Sequence, residues 1–213
     1  MKRERFSAIV FVSITLLFFS WRNALALPVT INIDPLYTYL RTDAADPAPN
    51  AIPIELSGLG ISPGDIIRLE RLGLFKRGIN FSDDFPEMIG VFSSSNSIAS
   101  SGNLNRISDA IDAGNDFDTS NTFLVNLSTN ISEDFFIDDV IIQVPTSATY
   151  LFISAHDNLY TGSVGVPNDL NTDPNGDFAV RISLASIPEP TTLALMGLGL
   201  VVLGFKRRTH VFR

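Results

Sequence analysis

Both ends of the chain are apolar segments bounded by basic residues, so the part able to fold in water lies between them. At the start, Lys2, Arg3 and Arg5 precede an uncharged run from Phe6 to Trp21, followed by Ala24-Leu25-Ala26. A positive n-region, an apolar h-region and an A-x-A site make residues 1–26 a secretory signal peptide, with Ala24 and Ala26 as the small residues signal peptidase requires. The alternative, a retained N-terminal membrane helix, fits a longer run than this one. At the far end, Pro188-Glu189-Pro190 precedes an uncharged run from Leu193 to Phe205, and Lys206, Arg207 and Arg208 follow. The prolines keep an upstream strand from running into the apolar segment, since proline fixes φ and lacks the N–H. A helix from Thr191 to Phe205 spans about 22 Å at 1.5 Å per residue, against a hydrocarbon core of about 30 Å. That is short for a permanent anchor and suits transient membrane association, with the basic trio held on the cytoplasmic side.

The tripeptide, apolar segment and basic cluster, in that order across Ile187 to Arg208, resemble the PEP-CTERM sorting signal of Gram-negative bacteria. The resemblance implies that an exosortase, a membrane transpeptidase-like protease, reads Pro188, Glu189 and Pro190 and removes the tail at 188–213. An ordinary tail anchor is the other reading of the same segment. The mature protein then belongs to the cell envelope or extracellular matrix.

Between the two segments stand residues 27–187, enough for one domain with a core of its own. This stretch holds 21 Asp and Glu against seven Lys and Arg, a net charge of −14. Such a surface repels nucleic acid and anionic membranes and suits a protein that binds divalent cations or simply stays soluble outside the cell. The chain has no cysteine, so packing or a metal must do what disulfides do in many exported domains.

The pattern of residues 27–187 is all-β. Val29 to Ile33 alternates apolar and polar, as a half-buried strand does. Asp43 to Pro53 reads as a loop because Pro47, Pro49 and Pro53 crowd it. Ser62-Pro63-Gly64-Asp65 has the residues of a type II turn and launches a strand over Ile66–Leu72, with Ile67, Leu69 and Leu72 turned inward. Gly73 and Gly78 bend the chain. Met88–Phe92, Phe123–Leu127, Phe135–Val144, Thr149–Ser154 and Phe178–Leu184 read as further strands, with a turn at Pro145–Ala148. Between them, Leu104–Ile107 and Ala110-Ile111 form a small flap in a Ser/Asn-rich stretch. Seven or eight short strands with almost no helical period predict an antiparallel β-sandwich, jelly-roll-like, with the signal peptide before it and a hydrophobic helix after it.

One stretch carries candidate chemistry. Asp157, Asn158, Asn168, Asp169, Asn171, Asp173, Asn175 and Asp177 crowd the segment between the last two strands. Carboxylate and amide oxygens around a glycine bend are what Ca2+ takes as ligands; a solvated loop that uses Asn, Asp and Gly for turns is the plain alternative. An EF-hand is excluded, because its twelfth position is Ile182 instead of a bidentate Glu. Residues Ser62 to Gly78, Val144 to Asp157 and Asn175 to Ile182 resemble the bacterial calcium-dependent galactose-binding lectins, a jelly-roll family. That resemblance implies a Ca2+ site built from the Arg77 carbonyl, Asp157, the Thr161 carbonyl, Asp173 and Asn175, with the metal binding sugar hydroxyls. The sequence departs from the family in about ten extra residues, Ser163 to Thr172, and in Pro174 where a second Asn is expected.

Catalytic motifs are sparse. His156, beside Asp157, has no G-x-S-x-G elbow elsewhere to complete a triad. The pairs Asp83-Asp84, Glu133-Asp134 and Asp138-Asp139 are adjacent acids that point apart, and read as solvated surface rather than a glycosidase pair. Arg68, Arg71, Lys76 and Arg77 read as a salt-bridged strand face. The expected function is a non-catalytic, exported module that binds extracellular polysaccharide through Ca2+. The alternatives are a structural matrix protein without a small ligand and, third, an extracellular hydrolase.

Overall fold

A computed structural model describes residues 27–41, 48–77, 84–114, 131–156 and 171–185. These residues form an antiparallel β-sandwich of short strands, as the pattern predicts. The first sheet runs β1 (Val29–Asn32), β12 (Ala179–Leu184), β3 (Ile66–Leu72), β9 (Asp139–Gln143). The second runs β2 (Ile54–Glu55), β10 (Tyr150–Ala155), β6 (Met88–Ser93), β7 (Ala110–Ile111), with β8 (Phe135–Ile137) also on β6. A small third sheet joins β11 (Asn171–Thr172), β4 (Phe75–Arg77) and β5 (Asp84–Phe85).

Period-2 patterning decides what lies between the two larger sheets. Ile67 and Leu69 from β3, Ile142 from β9 and Val180 and Ile182 from β12 meet Met88 and Phe92 from β6 and Leu151 and Ile153 from β10. Phe92 stacks on Phe135 with centroids 5.4 Å apart, and Phe75 meets Phe178 at 5.2 Å. Leu72 has the opposite parity to Ile67 and Leu69 and is only half-buried, which corrects the expectation that it points inward.

The second sheet is buried on both faces, which is why all six residues of β6 are inaccessible. Its far side, Ile89, Val91 and Phe152, is covered by Tyr39, Leu40, Ala51, Ile107 and Ile131 from irregular segments. The expected flap is thus a third layer. Ile107 packs in it, whereas Leu104 is exposed. Arg106 is the polar centre of this layer, 2% exposed. Its guanidinium donates to the carbonyls of Thr38, Leu40 and Ala99 at 2.9–3.1 Å and to Asn50 Oδ1. Burial lowers its pKa.

Tyr39 lies in the same layer, fully buried, and among the described residues its hydroxyl has no hydrogen-bond partner. Burial first, then the charge of Asp134, pushes its pKa well above the ordinary value near 10. A raised pKa leaves this contribution to stability whole below about pH 10 and removes it as pH rises through the folded-state value. Tyr39→Phe is expected to match or exceed wild-type stability at neutral pH, because an unpaired hydroxyl is deleted. The same variant should resist unfolding further into alkali; pH melts that superimpose above pH 10 would refute the assignment.

Two expectations need correction. The run Phe135–Val144 is two strands: β8 pairs with β6 in one sheet and β9 with β3 in the other. The chain changes sheets at Asp138, whose carbonyl accepts the Arg71 N–H at 2.8 Å and whose carboxylate pairs with Arg71 at 2.9 Å. Asp134, expected on the surface beside Glu133, is fully buried. The predicted turn at 62–65 is present, with Gly64 at φ 88° and the Asp65 N–H donating to the Ser62 carbonyl at 3.0 Å. The turn at Pro145–Ala148 closes the same way. The expected strand Phe123–Leu127, Gly78 and both terminal segments lie outside the described residues. Among the described residues no helix is long and apolar enough to cross a membrane.

Candidate functional site

Strand register sets two poles on the sandwich. At one, β1 begins, β12 ends and the 62–65 and 145–148 turns lie; at the other, β1 ends and β12 begins. Among the described candidate residues, Arg77, Asp173 and Asn175 lie at the second pole. Asn171 stands opposite Arg77 in the β11–β4 ladder, so segments 94 positions apart in sequence become neighbours. Asp173 follows two residues later, and the Asn171 amide donates to the Pro35 carbonyl at 3.1 Å, tying the end of β1 to this corner.

Asp173 organises the turn that leads into β12. Its Oδ1 accepts the N–H groups of Gly176 at 2.8 Å and Asp177 at 3.2 Å, and its Oδ2 accepts that of Phe178 at 3.0 Å. Gly176 takes φ 68°, a conformation that glycine adopts without strain. Beside this turn lies an open cleft of about 470 Å³, lined by Asn32, Asp34, Leu36, Asn171, Asp173 and Gly176 among others. Asp34 Oδ1 accepts the Leu36 N–H at 2.9 Å, which fixes the carboxylate on the cleft rim. Sequence reasoning missed Asp34 because it is 139 residues from Asp173. Only the β1–β12 and β4–β11 pairings bring the two segments to one cleft.

Of the five ligand positions expected, Arg77, Asp173 and Asn175 fall in described residues, while Asp157 and Thr161 lie outside them. Arg77 and Asp173 share the corner and Asn175 is exposed on the turn. Among the described residues no three His, Cys, Asp or Glu side chains come together to hold a metal. The processing residues Ala24, Ala26, Pro188, Glu189, Pro190, Lys206, Arg207 and Arg208 also lie outside the described residues.

His156 is buried, 3% exposed, at the edge of the Phe136 ring and with Nδ1 3.6 Å from Glu87 Oε2. The Asp138-Asp139 pair is engaged by Arg71 and Arg68, and Arg68 holds the Asp139 carboxyl below its usual range. Arg181 pairs with Glu70 at 2.9 Å, so Arg68 and Arg181 sit on an exposed, charge-matched strand face, whereas Arg71 has the opposite parity and is largely buried, which corrects the expectation of one face shared by Arg68 and Arg71.

Comparison with known proteins bears out the sorting signal. Residues 186–208 match the PEP-CTERM protein-sorting motif. This motif marks an exported, membrane-anchored precursor processed by exosortase. No curated protein and no solved structure matches the chain.

Proposed function

We propose that this PEP-CTERM protein is a non-catalytic binding module of the cell envelope or extracellular matrix of a Gram-negative bacterium. Residues 1–26 are its signal peptide, and the mature sandwich holds Ca2+ at its second pole and, through the metal, hydroxyls of an extracellular polysaccharide. The observation that carries this reading is the β4–β11 pairing. It sets Arg77 opposite Asn171 and two residues from Asp173, beside a cleft that Asp34 also lines. The Arg77 carbonyl, Asp173 and Asn175, with Asp157 and the Thr161 carbonyl, would supply oxygen ligands of the kind Ca2+ prefers. The burial of His156 against Phe136 and Glu87 favours binding over hydrolysis, since a general base must reach its substrate.

The test is melting of the processed protein in EDTA and in millimolar Ca2+, followed by circular dichroism because the one tryptophan is Trp21. A ligand specific to the folded state adds about 2.7 kcal/mol at a hundredfold excess over its dissociation constant, which raises Tm by several degrees. Asp173→Ala is a poor probe, because three backbone N–H groups lose their acceptor whether or not metal binds. Asn175→Ala, at an exposed position, should instead leave the EDTA melting curve nearly in place and abolish the Ca2+ shift, whereas Asp173→Asn shares the fault of the alanine because its NH2 group would face a backbone N–H. An unchanged Tm on adding Ca2+ to the wild type would leave the structural matrix protein as the better reading.

A further inference from the structure

The Ala185 N–H donates to the Ile66 carbonyl at 2.8 Å, so the ladder holds the chain to within three residues of Pro188. Three extended residues reach at most about 10 Å. An enzyme that closes on Pro188-Glu189-Pro190 in an extended conformation must therefore meet the end of the sandwich itself. We infer that the pole where β12 ends is a contact surface for the exosortase, a second recognition element beside the tripeptide.

The composition of that pole fits a protein contact. It is built from Leu27-Pro28, the stretch Ser57–Asp65 and the stretch Val144–Thr149, through the hydrogen bonds Leu56 N–H to Thr149 O, Gly64 N–H to Val144 O and Val144 N–H to Asp65 O. In a domain of net charge −14, these segments carry one ionisable side chain, Asp65, whose Oδ2 accepts the Ser62 N–H at 2.8 Å, besides the α-amino group that removal of the signal peptide leaves on Leu27. Glu55 and Asp109 stand at the border, Glu55 accepting from the Ser57 hydroxyl and the Asp109 carbonyl accepting the Ser94 N–H beside Thr149. The carboxylates Asp34, Glu87, Asp138, Asp173 and Asp177 stand at the opposite pole. Interface cores are depleted of charge for the reason this pole is: a charge loses its water there and gains no partner. The polarity also turns the candidate cleft away from the tether.

Processing of the full chain in cells that contain the exosortase tests the contact, with precursor and product resolved by pulse-chase immunoblot. Thr146 and Ser147 are exposed turn residues on this pole. The Thr146→Asp/Ser147→Asp and Thr146→Lys/Ser147→Lys double variants should each slow conversion about tenfold, since a charge of either sign is desolvated without a partner. The Thr146→Asn/Ser147→Asn variant should convert at the wild-type rate, which separates charge from a folding defect. A 12-residue Gly/Ser insertion after Ala185 should restore both charged variants, and deletion of Ser186-Ile187 should block conversion. Wild-type rates for both charged pairs, or for the deletion, would overturn the contact. Slowing by the Asp pair with acceleration by the Lys pair would assign the pole to anionic lipid and overturn the enzyme contact as well. Replacing Pro188-Glu189-Pro190 by alanines reports on processing itself. Conversion that survives this replacement would refute exosortase reading of the tripeptide, a failure separate from that of the pole.

Discussion

Arg106→Met is expected to lower the melting temperature of the domain by about 10 °C. The methionine fills most of the volume, so the loss isolates the guanidinium. Its donors go to three backbone carbonyls and Asn50 Oδ1 in a layer where Arg106 is 2% exposed. The Thr38 carbonyl keeps the Ala51 N–H at 3.2 Å, but those of Leu40 and Ala99 lose the Arg106 donors. Each buried acceptor left without a donor costs about 1–3 kcal/mol, and an exchange of the partner is not open to a backbone group. A total of about 4 kcal/mol converts at about 2–4 °C per kcal/mol for a domain of this size. Arg106→Lys should recover only part of the loss, because one ammonium cannot span four acceptors arranged for a planar fork. A Tm for Arg106→Met within about 2 °C of wild type would show that water replaces the guanidinium and that the layer is looser than described.

Gly73→Ala should cost about 4 kcal/mol and disturb the candidate site together with the fold. Gly73 joins β3 to β4 at φ 65°, where an L side chain is strained by about 1–3 kcal/mol. A Cβ there would also strike the backbone of Asp177, which cannot rotate aside as a side chain would. Asp177 lies inside the turn that Asp173 caps, so relief of the clash pushes that turn away from β4. Measured together, Tm and the Ca2+-dependent shift should both fall. A variant that melts as wild type would mean the bend tolerates a side chain, and the coupling between Gly73 and the cleft would be lost as an idea.

The difference between these positions and those the pattern exposed has a physical cause. Period 2 in Ile66–Leu72 and Phe178–Leu184 reflects one buried face, and Thr149–Ser154 is a continuous apolar run because both its faces are buried, so those strands were legible from the sequence. The turn at 62–65 was legible because Pro63 and Gly64 each permit few backbone conformations. Two-residue strands such as β2, β5 and β11 have no period to detect and exist only because a longer neighbour offers its edge. The run Phe135–Val144 looked continuous because apolarity does not record which sheet a residue faces; the change at Asp138 depends on Arg71, 67 positions away. Asp134 was misplaced because its burial comes from packing that adjacent residues do not encode. The cleft was half legible: Asp173 and Asn175 stood out by composition, while Asp34 became a neighbour only through strand pairing.

The sequence by itself determined the sorting signal of an exported precursor and the class of fold. The sorting motif is a contiguous string of residues, and alternation follows from the geometry of a single strand, so neither needs distant residues to be legible. Tertiary structure alone decided that a third layer closes over β6, that Arg106 holds it, and that the acidic cleft and the chain exit lie at opposite poles. Those facts depend on register between segments far apart in the chain, which local chemistry constrains only weakly until the sheets have formed.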